Sequence, residues 1–247
     1  MTWGVRQLIL ATLIALPGVA VAYLLPAIVV LALHQAGVVR ALKGPGWAAI
    51  LPYYSFATTI AFYGVLLAIV LLFASRQGGE AWAKLGLRRF PIWVVVLMPP
   101  LALLLQVVTG IITEILSPLL GGMKNPQGCD ISTAFGSVPF LAVISIAVIA
   151  PVVEEVVFRG FIYGGLRGRC GVTLSVLVSS VFFALAHSFS VGGSILLLFP
   201  SLFIAGIALA LVYERSRSLV PGMVLHASFN LIAVIAIFVV GTQASCH

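Results

Sequence analysis

The chain has 247 residues, of which 62% are hydrophobic and only 8% charged, whereas soluble domains carry about 25% charge. This excludes a soluble globular enzyme and marks an integral membrane protein, expected as one domain because no polar linker, charge block or repeat divides residues 1–247. The net charge of +7 does not point to nucleic acid, because the basic residues stand singly or in short clusters between apolar runs rather than in a stripe interleaved with aromatics.

The first apolar run, Leu8 to Leu33, follows Arg6 and exceeds the ~20 residues that cross a bilayer. Pro17 and Pro26 are expected to kink it. Ala20-Val21-Ala22 has the small-residue pattern of a leader-peptidase site, yet the run continues to full spanning length, so an uncleaved first helix is expected. Further spans are expected at Tyr54 to Ala74 and at Pro91 to about Thr113, separated by a polar loop with Arg76, Lys84, Arg88 and Arg89. The Gly/Pro-containing segment Ser117 to Gly136 then interrupts the pattern. Four more follow: Val138 onward past a pair of glutamates, Val172 to Phe189, Ser194 to Tyr213, and Val220 to Val240. The expected fold is all-α, a polytopic transmembrane helical bundle of about seven spans, with six to eight as the range.

Counting Lys and Arg in alternate loops assigns ten of the thirteen to one side: Arg6, Arg76, Lys84, Arg88, Arg89, Arg159, Arg167, Arg169, Arg215 and Arg217. Arg40, Lys43 and Lys124 fall on the other. By the positive-inside rule this is a multi-pass cell-membrane protein with its N-terminus cytoplasmic and its C-terminus external. Cys129 and Cys246 then share the external side and form a candidate disulfide, while Cys170 stays in the reducing cytoplasm. The three cysteines lack metal-type spacing, so no structural zinc cluster is expected.

Ionised side chains at membrane depth cost several kcal/mol, roughly, and a chain this apolar keeps few without a use for them. Pro151-Val-Val-Glu-Glu-Val-Val-Phe-Arg-Gly160 holds two carboxylates and a guanidinium. Glu155 and Arg159 are one helical turn apart and can pair. Glu154 is rotated about 100° from Glu155 and left over as a candidate base. Phe183-Ala-Leu-Ala-His187 and His226-Ala-Ser-Phe-Asn230 each put polar or aromatic groups four residues apart, on one helical face. Taken singly, these groups read as an interfacial ion cluster, a hydrogen-bonded core histidine and interhelical polar glue. Their recurrence in nearby helices of a chain with six acidic residues favours one buried polar site.

The ordered series Glu-Glu-x-x-x-Arg, Phe-x-x-x-His and His-x-x-x-Asn resembles the CPBP intramembrane proteases, the group containing CAAX prenyl endopeptidases and bacteriocin-processing or self-immunity proteins. The resemblance spans the motif-bearing half, about 138–240, while the N-terminal half matches only in being hydrophobic. It implies an intramembrane endopeptidase acting on a membrane-associated peptide or protein substrate. Glu154 and His187 would activate a water, and His226 and Asn230 would donate hydrogen bonds to the oxyanion. Glu155, Arg159 and Phe183 would give structural support. No cofactor is required by that mechanism, although Glu154, His187 and His226 would also make a two-His-one-carboxylate zinc set. Asp130 is the sole aspartate, which excludes a two-aspartate protease. There is no HExxH, and Gly192-Gly193-Ser194 is not a rhomboid nucleophile motif. Two non-proteolytic alternatives stay open: a membrane scaffold or immunity protein using the same polar cavity, and a proton-coupled transporter relaying through Glu and His.

Overall fold

The computed structural model describes residues 5–39, 44–76, 81–123, 125–188 and 195–240, and all regular structure among them is helical. Helix α1 (Val5–Gln35) pairs with α2 (Gly44–Ser75). The second helix starts ten residues before the expected Tyr54. Pro45 falls in its first turn, where a missing N–H costs nothing, and Pro52 lies inside it, buried. Two short helices, α3 (Ala81–Leu85) and α4 (Trp93–Val96), lead into α5 (Met98–Leu119). The interrupting segment is not structureless: it contains α6 (Gln127–Phe135). Cys129 on this helix is disulfide-bonded and Cys170 is free. Cys246, the partner expected from sequence, lies outside the described residues, as do Arg40, Lys43, Lys124 and Gly192-Gly193-Ser194.

A helical run then extends from residue 139 to 188: α7 (Pro139–Ala142), a π-helical stretch Val143–Ile149, α8 (Ala150–Glu155), a second π-helical stretch Val156–Tyr163, and α9 (Gly164–Ser188). It runs on through Gly160, Gly164 and Gly165. It breaks at Gly171, whose φ of 73° and ψ of −179° are open to glycine alone at no steric cost. Helices α10 (Ile195–Ser216) and α11 (Leu219–Ile235, continued by a π-helical Ala236–Val240) complete the bundle.

Six helical runs among the described residues are long and apolar enough to cross a membrane. One of them, Pro139–His187, is 49 residues long and contains the break at Gly171. The protein is therefore a multi-pass membrane protein, and the six runs fall at the lower end of the six to eight spans expected from sequence.

Three apolar clusters fill the interior. One, with Phe73, Leu85, Phe161, Tyr213 and Leu219, lies beneath the arginine-bearing loops. A second joins Met98, Phe158, Phe183, Leu209 and Leu225, and a third joins Phe135, Leu141, Ala142 and Val234. At the arginine-bearing end, Glu214 accepts from the Tyr163 hydroxyl at 2.5 Å and from Arg167 at 3.0 and 3.1 Å, and pairs with Arg217 at 3.0 Å. This four-residue network ties the 139–188 run to the α10–α11 turn, where single exposed pairs would contribute little.

Candidate active site

The two glutamates sit at the end of α8, a six-residue α-helical stretch bounded on both sides by π-helical turns. Widened turns of this kind recur at functional sites because they shift the side-chain register of the helix. Here one carboxylate faces a cavity and the other is sealed behind it.

Glu155 and Arg159 are fully buried, with Arg159 Nη1 donating to Glu155 Oε1 at 2.9 Å. Arg159 Nη2 donates to the Gly206 carbonyl at 3.0 Å, and its guanidinium lies 4.6 Å from the centre of the Phe183 ring. A buried pair of this kind repays its desolvation only when further hydrogen bonds satisfy both partners. Arg159 had been counted as a loop charge in the topology reading. It is instead an interior residue, which leaves nine residues on the arginine-rich side. Gly222 of α11 is the residue facing Glu155: a Cβ there would stand 3.0 Å from Oε2, so the absent side chain lets the two helices close on each other.

Glu155 is more than a support for its own helix. Its Oε1 also lies 3.1 Å from Nδ1 of His226. A carboxylate already paired with arginine only accepts, so Nδ1 of His226 carries the proton, and the ring is turned with Nε2 toward Glu154. Nε2 of His226 stands 3.6 Å from Glu154 Oε2 and Nε2 of His187 stands 3.3 Å from the same atom. His187 is oriented by its own helix: its Nδ1 donates to the Phe183 carbonyl at 2.8 Å. Phe183 packs against both imidazoles, with ring centres 4.5 Å from His187 and 5.5 Å from His226. Asn230, one turn beyond His226, donates from Nδ2 to the Ile146 carbonyl at 2.8 Å, inside the first π-helical stretch. One of its two N–H groups is thereby committed and the other is left for the cavity.

Glu154, Phe183, His187, His226 and Asn230 all line one cavity of about 370 Å³. Glu155 and Arg159 do not line it, and act from behind. Among the described residues Glu154 Oε2 has no aligned hydrogen-bond donor, although two imidazole Nε2 atoms face it. Sequence reasoning missed Tyr63 of α2, whose hydroxyl donates to Glu154 Oε1 at 2.5 Å. The two residues are 91 positions apart, and a tyrosine in an apolar helix carries no periodic signal that could have announced it.

Zinc is the alternative that the sequence leaves open for Glu154, His187 and His226. Zinc holds its nitrogen and oxygen ligands at about 2.0–2.2 Å, and among the described residues no group of three or more His, Cys, Asp or Glu side chains could hold a metal ion. No step below is routed through a metal.

With this geometry established, the comparisons with known proteins become specific. Residues 136–232 match the family model described as Type II CAAX prenyl endopeptidase Rce1-like. This is the region that carries all three motifs, and at family level the match is to an intramembrane peptidase. Two curated relatives align over less than half of this chain. One is named "Putative membrane peptidase YdiL" in Bacillus subtilis (strain 168), 27% identical over 114 residues, covering 46% of this chain and 44% of that protein. The other is "UPF0177 protein YxdF" of Lactococcus lactis subsp. lactis (strain IL1403), 31% identical over 112 residues, covering 45% of this chain and 59% of that protein. The chain thus spans about half the length of the curated relatives it matches. No solved structure matches it.

Proposed function

We propose that the protein is an intramembrane endopeptidase that hydrolyses a peptide bond of a membrane-associated substrate with a water activated at Glu154 and His187. The observation that carries this reading is the position of Glu154 Oε2 in the cavity wall, buried between two imidazoles and without an aligned protein donor of its own. A water there gives one proton to Glu154 and places its oxygen on the scissile carbonyl carbon. The C–O bond forms as the carbonyl becomes an oxyanion, and the free N–H of Asn230 donates to it. His226 donates as well when it is imidazolium, one N–H on Glu155 and the other, at Nε2, on the oxyanion. A preorganised donor of this type contributes about 3 kcal/mol to the barrier reduction. Collapse restores the carbonyl, breaks the C–N bond and returns the proton from Glu154 to the departing amine. Tyr63 holds the second oxygen of Glu154, so that Oε2 rather than Oε1 meets the water.

The test is cleavage of membrane-anchored reporter peptides by the detergent-solubilised protein. Cleavage should survive exhaustive chelation, and Glu154→Gln should lower it by about a hundredfold or more while the melting temperature holds. Loss on chelation with recovery on added zinc would overturn the metal-free mechanism. Glu154→Gln with full activity would overturn the assignment of the base, and cleavage absent under all conditions would leave the scaffold reading in its place.

The proposed orientation has the arginine-bearing end in the cytoplasm and the α6 end outside. Cys170, free and exposed, reports on it. A membrane-impermeant maleimide should label Cys170 only after the membrane is opened, and labelling of intact cells would reverse the orientation.

A further inference from the structure

The reacting pair stands in a wall between two chambers. Besides the 370 Å³ cavity that holds His226 and Asn230, a second cavity of about 500 Å³ is lined by Glu154, His187, Tyr63 and Thr59 as well. These four residues are the lining the two share. The rest of the second chamber comes largely from the first two helices, with Tyr23 of α1 and Tyr54, Ser55, Thr58 and Phe62 of α2. Among the described residues no lysine or arginine lines either chamber. Tyr23 and Tyr63 both pack against Phe62, at 5.9 and 5.1 Å between ring centres, which makes the α1–α2 side of the second chamber aromatic.

We propose that the second chamber is a substrate subsite, which receives the segment on one side of the scissile bond while the His226–Asn230 chamber receives the segment on the other. The inference rests on the peptidase reading and deepens it. A peptide bond held against Glu154 has two chain directions leaving it, and the wall position of Glu154 and His187 offers each direction its own space. The carbonyl oxygen must point to Asn230, so that flank is anchored in the first chamber. The opposite flank then passes over Tyr63 into the chamber built by α1 and α2. Its lining of tyrosine, phenylalanine, serine and threonine suits an uncharged, aromatic or aliphatic side chain, because a buried charge would find no opposite charge there beyond Glu154. Specificity on that flank would therefore reside in α1 and α2, outside the matched region 136–232.

The experiment is a two-flank scan. Peptide libraries varied on each side of the cleaved bond are offered to the wild-type protein, to Thr58→Phe, which narrows the second chamber, and to Ala233→Phe, which narrows the first. Both residues line only one chamber, and neither belongs to the proposed machinery. Thr58→Phe is expected to lower kcat/KM tenfold or more for bulky residues on one flank while sparing glycine there, with Ala233→Phe doing so on the other flank. Glycine-flanked peptides and the melting temperature confirm that each variant is folded, and Ser55→Phe substitutes if Thr58→Phe is not. An unchanged profile for Thr58→Phe, or an equal loss on both flanks, overturns the two-chamber proposal. Wild-type cleavage in the same assay keeps that failure distinct from a failure of the peptidase reading, which would abolish cleavage in every arm.

Discussion

The first helix and the run from 139 to 187 are equally apolar by sequence, with mean hydropathies of 2.4 and 2.3 in their best windows. They differ in where that apolar surface goes. In α1 only 11% of the window is buried within the protein, against 50% in the later run. Leu16, Leu24 and Ile28 stand 65, 58 and 59% exposed, a face suited to lipid tails. The 139–187 run instead buries Glu154, Glu155 and Arg159 to 6% exposure or less. Hydropathy thus separates neither helix from the other, and the polar residues do. Where a span carries none, its side chains are free to face lipid. Where it carries several, neighbouring helices must enclose them, since unpaired charge in hydrocarbon costs several kcal/mol, roughly.

The sharpest way to break this contrast is to strand a charge in the enclosed region. Glu155→Gln leaves Arg159 without its carboxylate and leaves Nδ1 of His226 at best a neutral amide oxygen, shared with Arg159, as acceptor. Loss of one partner of a buried pair costs roughly 3 to 5 kcal/mol, so thermal stability in detergent should fall together with activity. Adding Arg159→Gln should return part of the stability, because neither charge is then stranded, but not the activity, because His226 then lacks the carboxylate that favours its imidazolium form. Equal melting behaviour of Glu155→Gln and Glu154→Gln would contradict the division between a sealed and a cavity-facing carboxylate.

A smaller effect is expected where the two regions meet. Tyr63→Phe keeps the ring and its edge contact with Phe62 and removes the hydroxyl that holds Glu154 Oε1. A hydrogen bond to a charged group contributes about 1.5 to 3 kcal/mol, so kcat should fall at least about tenfold with KM and melting temperature unchanged. A rise in KM alone would make Tyr63 a substrate contact rather than a positioning residue. The smallest effect is expected at the lipid-facing surface. Leu24→Ala removes an exposed side chain and should shift stability by no more than about 0.5 kcal/mol, read as a change in melting temperature close to the error. A loss of 2 kcal/mol or more would mean that α1 is covered by protein at this face.

Much of the site was legible in local spacing. Four-residue intervals put Glu155 with Arg159, Phe183 with His187 and His226 with Asn230 on common faces, and each pair does lie on one face of its helix. The 100° step between adjacent residues separated Glu154 from Glu155, and only Glu154 lines the cavity. Counting residues at about 1.5 Å each along straight α-helices would place His226 shallower in the membrane than Glu154 and His187. The π-helical stretches at Val143–Ile149 and Val156–Tyr163 show why such counting fails here, since it assumes an α-helical rise throughout.

Composition alone determined that the chain crosses a membrane many times as helices, because backbone polar groups in lipid must be satisfied within each segment. Spacing alone determined which polar residues share a helical face, because that depends only on 3.6 residues per turn. The meeting of those faces was decided by the tertiary structure. Glu155 reaches across 71 residues to orient His226, Asn230 across 84 to bind Ile146, and Tyr63 across 91 to hold Glu154. Contacts at such separations depend on which helices pack together and at what height, and that is set by close approaches such as Gly222 against Glu155 and by the break at Gly171, which no local pattern records.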